Sequence, residues 1–234
     1  PDADQLQRAL LKGTVEVNVV LDVISHGEAI SGNVIAEIPG ETDEIVLIGG
    51  HLDSWDLGTG AIDDGAGIGI TVGAAKLILD LNKTPRRTIR IVMFGSEEVG
   101  LIGAKAYAKK YRDRLDKHIV GAESDFGAGR IWKFDTNFAQ EKLFLAEAMH
   151  KVLEPLGIGR GDNNASGGPD IGPLRELGVP AVTLKQNGWD YFDYHHTADD
   201  TLDKIDKADI AQNVAAYAAF VWMAANVDGH FRKD

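Results

Sequence analysis

Five separate stretches of the sequence carry histidine and carboxylate side chains of the kinds that bind metal ions. They are His51-Leu52-Asp53, Asp63-Asp64, Glu97-Glu98, Glu123-Ser124-Asp125 and His195-His196. Carboxylates crowded into one place repel one another unless a positive charge joins them. A mixture of imidazole and carboxylate without thiolate suits Zn²⁺, with Mn²⁺ or Co²⁺ as alternatives. Two such ions about 3.5–4 Å apart, sharing a carboxylate and a water, would activate the water and polarise a carbonyl group.

Each stretch has an ordinary interpretation when it is taken alone. A single histidine after a strand is more often a loop residue than a ligand, Asp-Asp-Gly is common in turns, and paired glutamates are usually solvated. The metal site is favoured because three of the stretches closely follow apolar runs, at 45–48, 88–94 and 119–122. α/β sheets bind their ligands in a crevice outside the carboxyl ends of their strands. We therefore expect these side chains to converge at one edge of a sheet.

The elements that must position these side chains alternate between strands and helices. Strands are predicted at 45–48, 88–94, 119–122 and 179–184. Helices are predicted at 65–81, 104–115, 138–156, 173–177 and 209–227. Asp170 lies shortly before the helix at 173–177 and is a candidate N-cap. This order predicts one three-layer α/β domain, in which helices cover both faces of a mixed, mostly parallel central sheet.

The N-terminal part of the chain has a different pattern. Val15, Val17, Val19, Leu21 and Val23 alternate with other residues, which is the periodicity of a strand. Residues 26–28 are typical of a turn, and residues 33–38 resemble a returning strand. A short β-hairpin is therefore predicted at the N-terminus.

Composition excludes several classes of protein. The 234 residues are 44% hydrophobic, enough for a core, and the net charge of −12 disfavours nucleic acid or an anionic membrane as partner. Without cysteine, disulfides and thiolate metal sites are excluded. A dinucleotide-binding loop at 65–70 is unlikely because Ile70 stands where the motif needs glycine. A serine hydrolase is unlikely because the sequence has no Gly-x-Ser-x-Gly motif.

Five motifs in this order resemble those of the co-catalytic di-zinc aminopeptidase and glutamate carboxypeptidase-like metallopeptidases. The motifs lie at 49–54, 60–67, 94–104, 123–125 and 195–201. The similarity is greatest to the carboxypeptidase Q branch, because of Gly168-Pro169-Asp170-Ile171 and the aromatic loop that ends in His195-His196. It extends from about residue 33 to residue 227.

The resemblance implies a role for each candidate residue. His51 and Asp125 are expected to bind one metal ion, Glu98 and His196 the other, and Asp63 both. Two Zn²⁺ are the expected cofactors, and the Asp63-Asp64 peptide is expected to be cis.

The resemblance also implies residues that act beside the ions. Glu97 is the expected general base, which takes a proton from the water between the ions and passes it to the leaving amine. Asp53 is expected to accept the second imidazole N–H of His51 and fix its tautomer. Tyr191, Tyr194 and Asp170 are expected to contact the substrate.

The expected activity is that of a metal-dependent exopeptidase, an aminopeptidase, carboxypeptidase or dipeptidase, which hydrolyses short peptides. The alternatives are a single-zinc acyltransferase of the glutaminyl cyclase type and a non-catalytic, receptor-like binding domain. The presence of every ligand candidate and of Glu97 argues against both.

The resemblance suggests further that the sequence is the catalytic portion of a longer protein. Residues 1–24 are expected to be the tail of a protease-associated insert, and residues 25–234 the catalytic domain. We expect a soluble protein that is secreted or located in the periplasm or a lumen, with a peptide substrate, no nucleic-acid or membrane partner, and a possible homodimer.

Overall fold

A seven-stranded sheet forms the centre of the computed structural model, which describes residues 2–232. In chain order the strands are β1 (Val34–Ile38), β2 (Thr42–His51), β3 (Arg87–Phe94), β4 (His118–Glu123), β5 (Ile131–Asn137), β6 (Gly159–Arg160) and β7 (Ala181–Gln186). Their order in the sheet is β1-β3-β2-β4-β7-β5-β6. Only the pairs β1–β3 and β5–β7 are antiparallel. The other four pairs are parallel, so the predicted mixed, mostly parallel sheet is confirmed.

Helices lie on both faces of this sheet. In chain order, the helices of residues 31–232 are α2 (Ala66–Asp80), α3 (Ile102–Lys110), α4 (Leu143–Leu153), α5 (Gly172–Glu176), α6 (Tyr191–Tyr194) and α7 (Lys207–Asn226), and the N-terminal segment before them contains α1 (Asp2–Leu10). One core cluster contains side chains of α2, α4 and α7, and a second contains side chains of α3 and α5. The predicted three-layer α/β architecture is therefore confirmed. Among residues 2–232, no helix combines the length and apolarity that crossing a membrane requires.

Strand β2 separates the two cores because its side chains alternate between the two faces. Val46 and Ile48 belong to the cluster with α2 and α7, whereas Ile45 and Leu47 belong to the cluster with α3. A strand buried on both faces has to be apolar throughout, which explains the uninterrupted run that predicted it.

The chain reverses its direction across the sheet at β2. From β2 the chain passes through α2 to β3 on one side, and then through α3 to β4 on the other side. The loops that follow β2 and β4 therefore diverge and leave a crevice at their carboxyl ends. Such a switch point is where open α/β sheets bind ligands.

The predicted N-terminal hairpin is wrong. By their contacts, Pro1–Ile30 and Ser31–Asp234 are two compact units, and in the first unit α1 is followed by residues without strand structure. Strand β1 does form, but it pairs with β3, where Ile35 lies opposite Val92. An alternating segment becomes a strand when one of its faces is covered, yet the side chains of Val17 and Leu21 are 66% and 81% exposed.

The predicted elements of the second unit are confirmed with small shifts of their ends, with two exceptions. Strands β5 and β6 were missed, because β5 buries the polar residues Asp135 and Thr136 and so lacks a clear apolar alternation. The N-cap assignment of Asp170 is also wrong. The N-cap of α5 is Ile171, without a side-chain cap, whereas the main-chain N–H of Asp170 donates to the Glu123 carboxylate.

Candidate metal centre

One strand end, three loops and one distorted helical turn bring the predicted ligands together at the carboxyl edge of the sheet. His51 is the last residue of β2, and Asp125 follows β4 by two residues. Glu98 lies in the loop after β3, and His196 follows α6. Asp63 lies in the π-helical turn Ala61–Gly65, and its peptide bond to Asp64 is cis, as the resemblance implied.

His51 lies between two carboxylates in the buried part of the site. Its Nε2 is 3.0 Å from Oδ1 of Asp63 and 3.6 Å from Oδ1 of Asp125. Burial alone would lower the pKa of His51, but the bonds to Asp125 and Asp63 outweigh it and raise the pKa to about 12. This part of the site therefore attracts positive charge strongly.

Asp63 connects the two halves of the site. Its Oδ1 faces His51, whereas its Oδ2 lies 3.2 Å from Nε2 of His196. Burial would raise the pKa of Asp63, but the hydrogen bond with His51 and the charges of the histidines lower it. One carboxylate thus presents one oxygen to each of two histidines, the arrangement expected of a ligand shared by two ions.

Glu98 completes the second half of the site. Its Oε2 is 2.9 Å from Nε2 of His196 and accepts a hydrogen bond from Nε1 of Trp55 at 2.8 Å. Its other oxygen, Oε1, is buried and has no hydrogen-bond partner among residues 2–232. A buried carboxylate oxygen without a donor is costly unless a cation or a proton joins it.

The donor set fits divalent metal ions. Ligand atoms lie within 4.8 Å of one another in three overlapping groups. These groups are His51–Asp64–Asp125, His51–Asp63–Glu98 and Asp63–His195–His196. Imidazole and carboxylate are ligands that zinc accepts, and each half of the site offers one histidine, one carboxylate of its own and a share of Asp63. Bound cations would also satisfy the orphaned oxygen of Glu98.

Glu97 lies beside these groups and belongs to none of them. Its side chain is half-buried. Burial raises the pKa of Glu97 to about 7, and the charges of Asp125 and Glu98 add to this effect while His51 opposes it. A carboxylate with a pKa near neutrality is suited to exchanging protons at physiological pH.

The expected role of Asp53 needs a correction. The main-chain oxygen of Asp53, and not its carboxylate, lies 2.8 Å from Nδ1 of His51. The nearest carboxylate oxygen is 3.8 Å from Nδ1. The carboxylate instead accepts the main-chain N–H groups of Glu97 and Glu98, at 2.9 and 3.1 Å. Asp53 therefore ties the end of β2 to the loop that carries both glutamates.

The three predicted substrate contacts lie in different surroundings. Asp170 is fully buried, and its N–H donates to Oε2 of Glu123 at 2.7 Å, so in this structure it has no surface for a substrate. Burial raises the pKa of Asp170 to about 7. Tyr191 and Tyr194 line a cavity of about 330 Å³ whose lining includes no ligand candidate.

A second cavity, of about 520 Å³, opens beside Asp125. Phe126 and Trp132 line it, together with Lys185 and Glu123. Since its lining includes Asp125, this cavity adjoins the candidate metal centre, whereas the lining of the first cavity includes no ligand candidate. Trp132 was missed from the sequence because it lies in the unpredicted strand β5.

Asp64 and Trp55 also have roles that sequence reasoning missed. Asp64 is buried and accepts the N–H of His51 at 3.0 Å and that of Gly67 at 3.1 Å, which joins the end of β2 to the start of α2. Burial and the charge of Asp125 raise its pKa well above the usual value. The Asp63-Asp64 pair in the sequence could have indicated a role for Asp64. No feature of the sequence around Trp55 indicates its contact with Glu98.

Comparison with known proteins agrees with this geometry. A model of peptidase family M28 matches residues 33–221. Carboxypeptidase Q of Mus musculus is 30% identical over 230 residues, covering 97% of this chain and 49% of that protein. The chain spans about half the length of the curated relatives it matches.

Solved structures have the same fold. A peptidase M28 precursor from Shewanella amazonensis SB2B superposes with a TM-score of 0.84 at 57% identity, over 86% of this chain and 46% of that one. The zinc aminopeptidase BSAP from Bacillus subtilis superposes with a TM-score of 0.63 at 22% identity, over 84% of this chain and 50% of that one.

Proposed function

The chain belongs to peptidase family M28, and from this membership we propose that it is a metal-dependent exopeptidase of short peptides with two zinc ions at its active site. His51 and Asp125 would hold one ion, Glu98 and His196 the other, and Asp63 both. The single observation that carries the proposal is the position of Asp63, whose two oxygens face His51 and His196 separately.

The ions and the protein would divide the chemistry between them. Two zinc ions, when bound, would lower the pKa of a water molecule and polarise the scissile carbonyl. Glu97 accepts the proton of the attacking water and donates it to the leaving amine nitrogen. Asp53 holds the main chain of Glu97 in place, through the hydrogen bond of 2.9 Å. The carbonyl of Asp53 orients the His51 ring, through its contact with Nδ1 at 2.8 Å.

Peptide hydrolysis with controlled metal content tests the proposal. The purified protein is assayed on a panel of dipeptides and tripeptides with free or blocked termini, before and after removal of metal with a chelator. We expect hydrolysis to stop on chelation and to return when Zn²⁺ is added. Hydrolysis that continues in the metal-free protein would refute the proposal. The blocked peptides identify which end of the peptide is recognised.

Metal counting separates the proposal from its two alternatives. An exopeptidase with the proposed site binds two zinc ions per chain, a glutaminyl cyclase-type acyltransferase one, and a receptor-like domain none. Because the chain has ligand candidates for both ions, the residues support the exopeptidase over the two alternatives. Secretion, homodimer formation and an adjoining protease-associated domain stay predictions, for which mass and localisation measurements on the full protein are the tests.

A further inference from the structure

Asp200 lies close to the metal centre but directs its carboxylate away from it. The residue is 4% exposed and follows His196 by four positions. Its Oδ1 accepts the main-chain N–H of Ile62 at 2.5 Å, and its Oδ2 accepts that of Asp63 at 3.2 Å. Within residues 2–232 Asp200 forms no ion pair, and its carboxylate accepts from these two main-chain amides.

The turn that carries Asp63 needs an external acceptor. Asp63 has φ −127° and ψ 90°, and Asp64 has φ −131° and ψ 34°, which are not helical values. The first N–H groups of any helical turn have no acceptor within the turn. Across this turn the N–H of Gly65 donates to the oxygen of Gly60 at 2.8 Å, and the N–H of Ala66 donates to the oxygen of Ala61, so neither bond uses the N–H groups of Ile62 and Asp63. The carboxylate of Asp200 therefore satisfies donors that the turn itself leaves free.

The main chain of Asp200 binds the same loop a second time. Its carbonyl oxygen accepts the N–H of Thr59 at 2.8 Å and the hydroxyl of Thr59 at 3.1 Å. Gly58 passes so close that a Cβ atom there would lie 2.9 Å from Cβ of Asp200. Through both its side chain and its main chain, Asp200 therefore connects residues 58–63 to the segment that carries His196.

From these contacts we infer that Asp200 is a positioning residue of the metal centre, which sets the separation between Asp63 and His196. The inference rests on the proposed function. Hydrogen bonds from amides to a carboxylate are stronger than neutral ones, so the two bonds fix the main chain of Asp63 firmly. The Oδ2 atom of Asp63 is thereby placed 3.2 Å from Nε2 of His196, as a ligand shared by both ions requires.

The test compares Asp200→Asn and Asp200→Ala with the matched control Asp199→Asn in the full chain. Asparagine preserves the volume but offers only one acceptor oxygen to two donors. Asp199 is the exposed neighbour, and its substitution removes the same charge. Zinc affinity is measured by competition with a chromophoric chelator, and the coordination geometry by the visible spectrum of the Co²⁺-loaded protein.

We expect both Asp200 variants to bind zinc about 10–100-fold more weakly, as is usual when a residue that orients a ligand is lost. Their Co²⁺ spectra should change, whereas the Asp199→Asn protein should match the wild type in both measurements. A purely structural role would lower the melting temperature of the metal-free protein and leave the Co²⁺ spectrum unchanged.

Each outcome decides the matter. An unchanged Co²⁺ spectrum in Asp200→Asn would overturn the inference whatever the zinc affinity of the variant, and so would wild-type zinc affinity or a failure of this variant to fold even with excess zinc. If the wild-type protein itself binds no zinc or hydrolyses no peptide, the proposed function fails. If the wild type does both and the Asp200 variants are unaffected, only the role of Asp200 fails.

Discussion

The carboxylate of Asp53 accepts the main-chain N–H of Glu97 at 2.9 Å, so a residue two positions beyond the end of β2 holds the main chain of the candidate general base. The same carboxylate accepts the N–H of Glu98 at 3.1 Å. Its carbonyl faces Nδ1 of His51 at 2.8 Å. Asp53 therefore orients one ligand through its main chain and two acidic residues through its side chain.

Substitution of Asp53 should weaken catalysis more than stability. In Asp53→Ala the loop at Glu97 and Glu98 loses both bonds, and we expect kcat/KM for peptide hydrolysis to fall about 10–100-fold. The His51 contact should persist because it uses the main chain. Asp56→Ala, which removes an exposed carboxylate three residues further on, is the control. Equal activity of the two variants would contradict the role given to Asp53.

Glu97→Gln should separate proton transfer from metal binding. Glutamine has the volume of glutamate but cannot take a proton from water, so we expect kcat to fall about 10²–10⁴-fold. Zinc content, measured by atomic emission, should stay that of the wild type. In Glu98→Gln, by contrast, zinc affinity itself should fall. Unchanged turnover in Glu97→Gln would exclude Glu97 as the general base.

The two adjacent histidines should differ in their effect on metal content. Both His195 and His196 place Nε2 at 3.2 Å from Oδ2 of Asp63, but only His196 also contacts Glu98, at 2.9 Å. We expect His196→Ala to lose one zinc ion per chain and His195→Ala to retain both. Stoichiometry from isothermal titration is the measurement. Loss of an ion in His195→Ala alone would exchange the two assignments.

The candidate site was predictable as far as its residues follow apolar strands. His51 and Asp125 each come shortly after an apolar run that is buried on both faces of the sheet. Their convergence at one sheet edge could therefore be predicted from the pattern of apolar runs. Asp200 was not predictable in this way. Its partners are the main-chain amides of Ile62 and Asp63, almost 140 positions away, and a main-chain donor leaves no trace in the sequence.

The errors in the predicted fold have the same cause, because they too depend on partners that are distant in the sequence. The alternation of Val15 to Val23 describes a segment able to form a strand, but a strand also needs a partner edge, and β3 pairs with β1 instead. Asp170 has the residue type and position of an N-cap. Its actual surroundings, a buried contact with Glu123, depend on a residue 47 positions earlier in the chain.

A buried histidine far from the candidate site predicts how stability depends on pH. His118 is fully buried, and its Nδ1 must donate to the carbonyl of Arg114 at 3.0 Å. Its Nε2 accepts from the hydroxyl of Tyr107 at 2.7 Å, and that hydroxyl accepts from Arg90 at 2.7 Å. Burial lowers the pKa of His118 to about 4, with Arg90 and Arg232 adding to the effect and the Arg114 carbonyl opposing it.

The sign of the pH effect follows from this shift. Between the ordinary pKa of 6.5 and the folded value of about 4, the unfolded chain binds a proton at His118 and the folded chain does not. The free energy of unfolding should therefore fall as the pH falls through this window, by up to about 1.4 kcal/mol per pH unit from this group. Urea unfolding of the metal-free protein at about pH 7 and about pH 5 measures the effect.

His118→Gln should lower stability at neutral pH but reduce its loss on acidification, because glutamine does not titrate. The comparison uses the difference between the two pH values within each protein, so that the other titrating groups contribute equally to the wild type and the variant. His26→Gln removes an exposed histidine and serves as the control, expected to lose as much stability as the wild type. If His118→Gln loses as much stability on acidification as the control does, the neutral state assigned to His118 is wrong, and protons bound elsewhere account for the acid sensitivity.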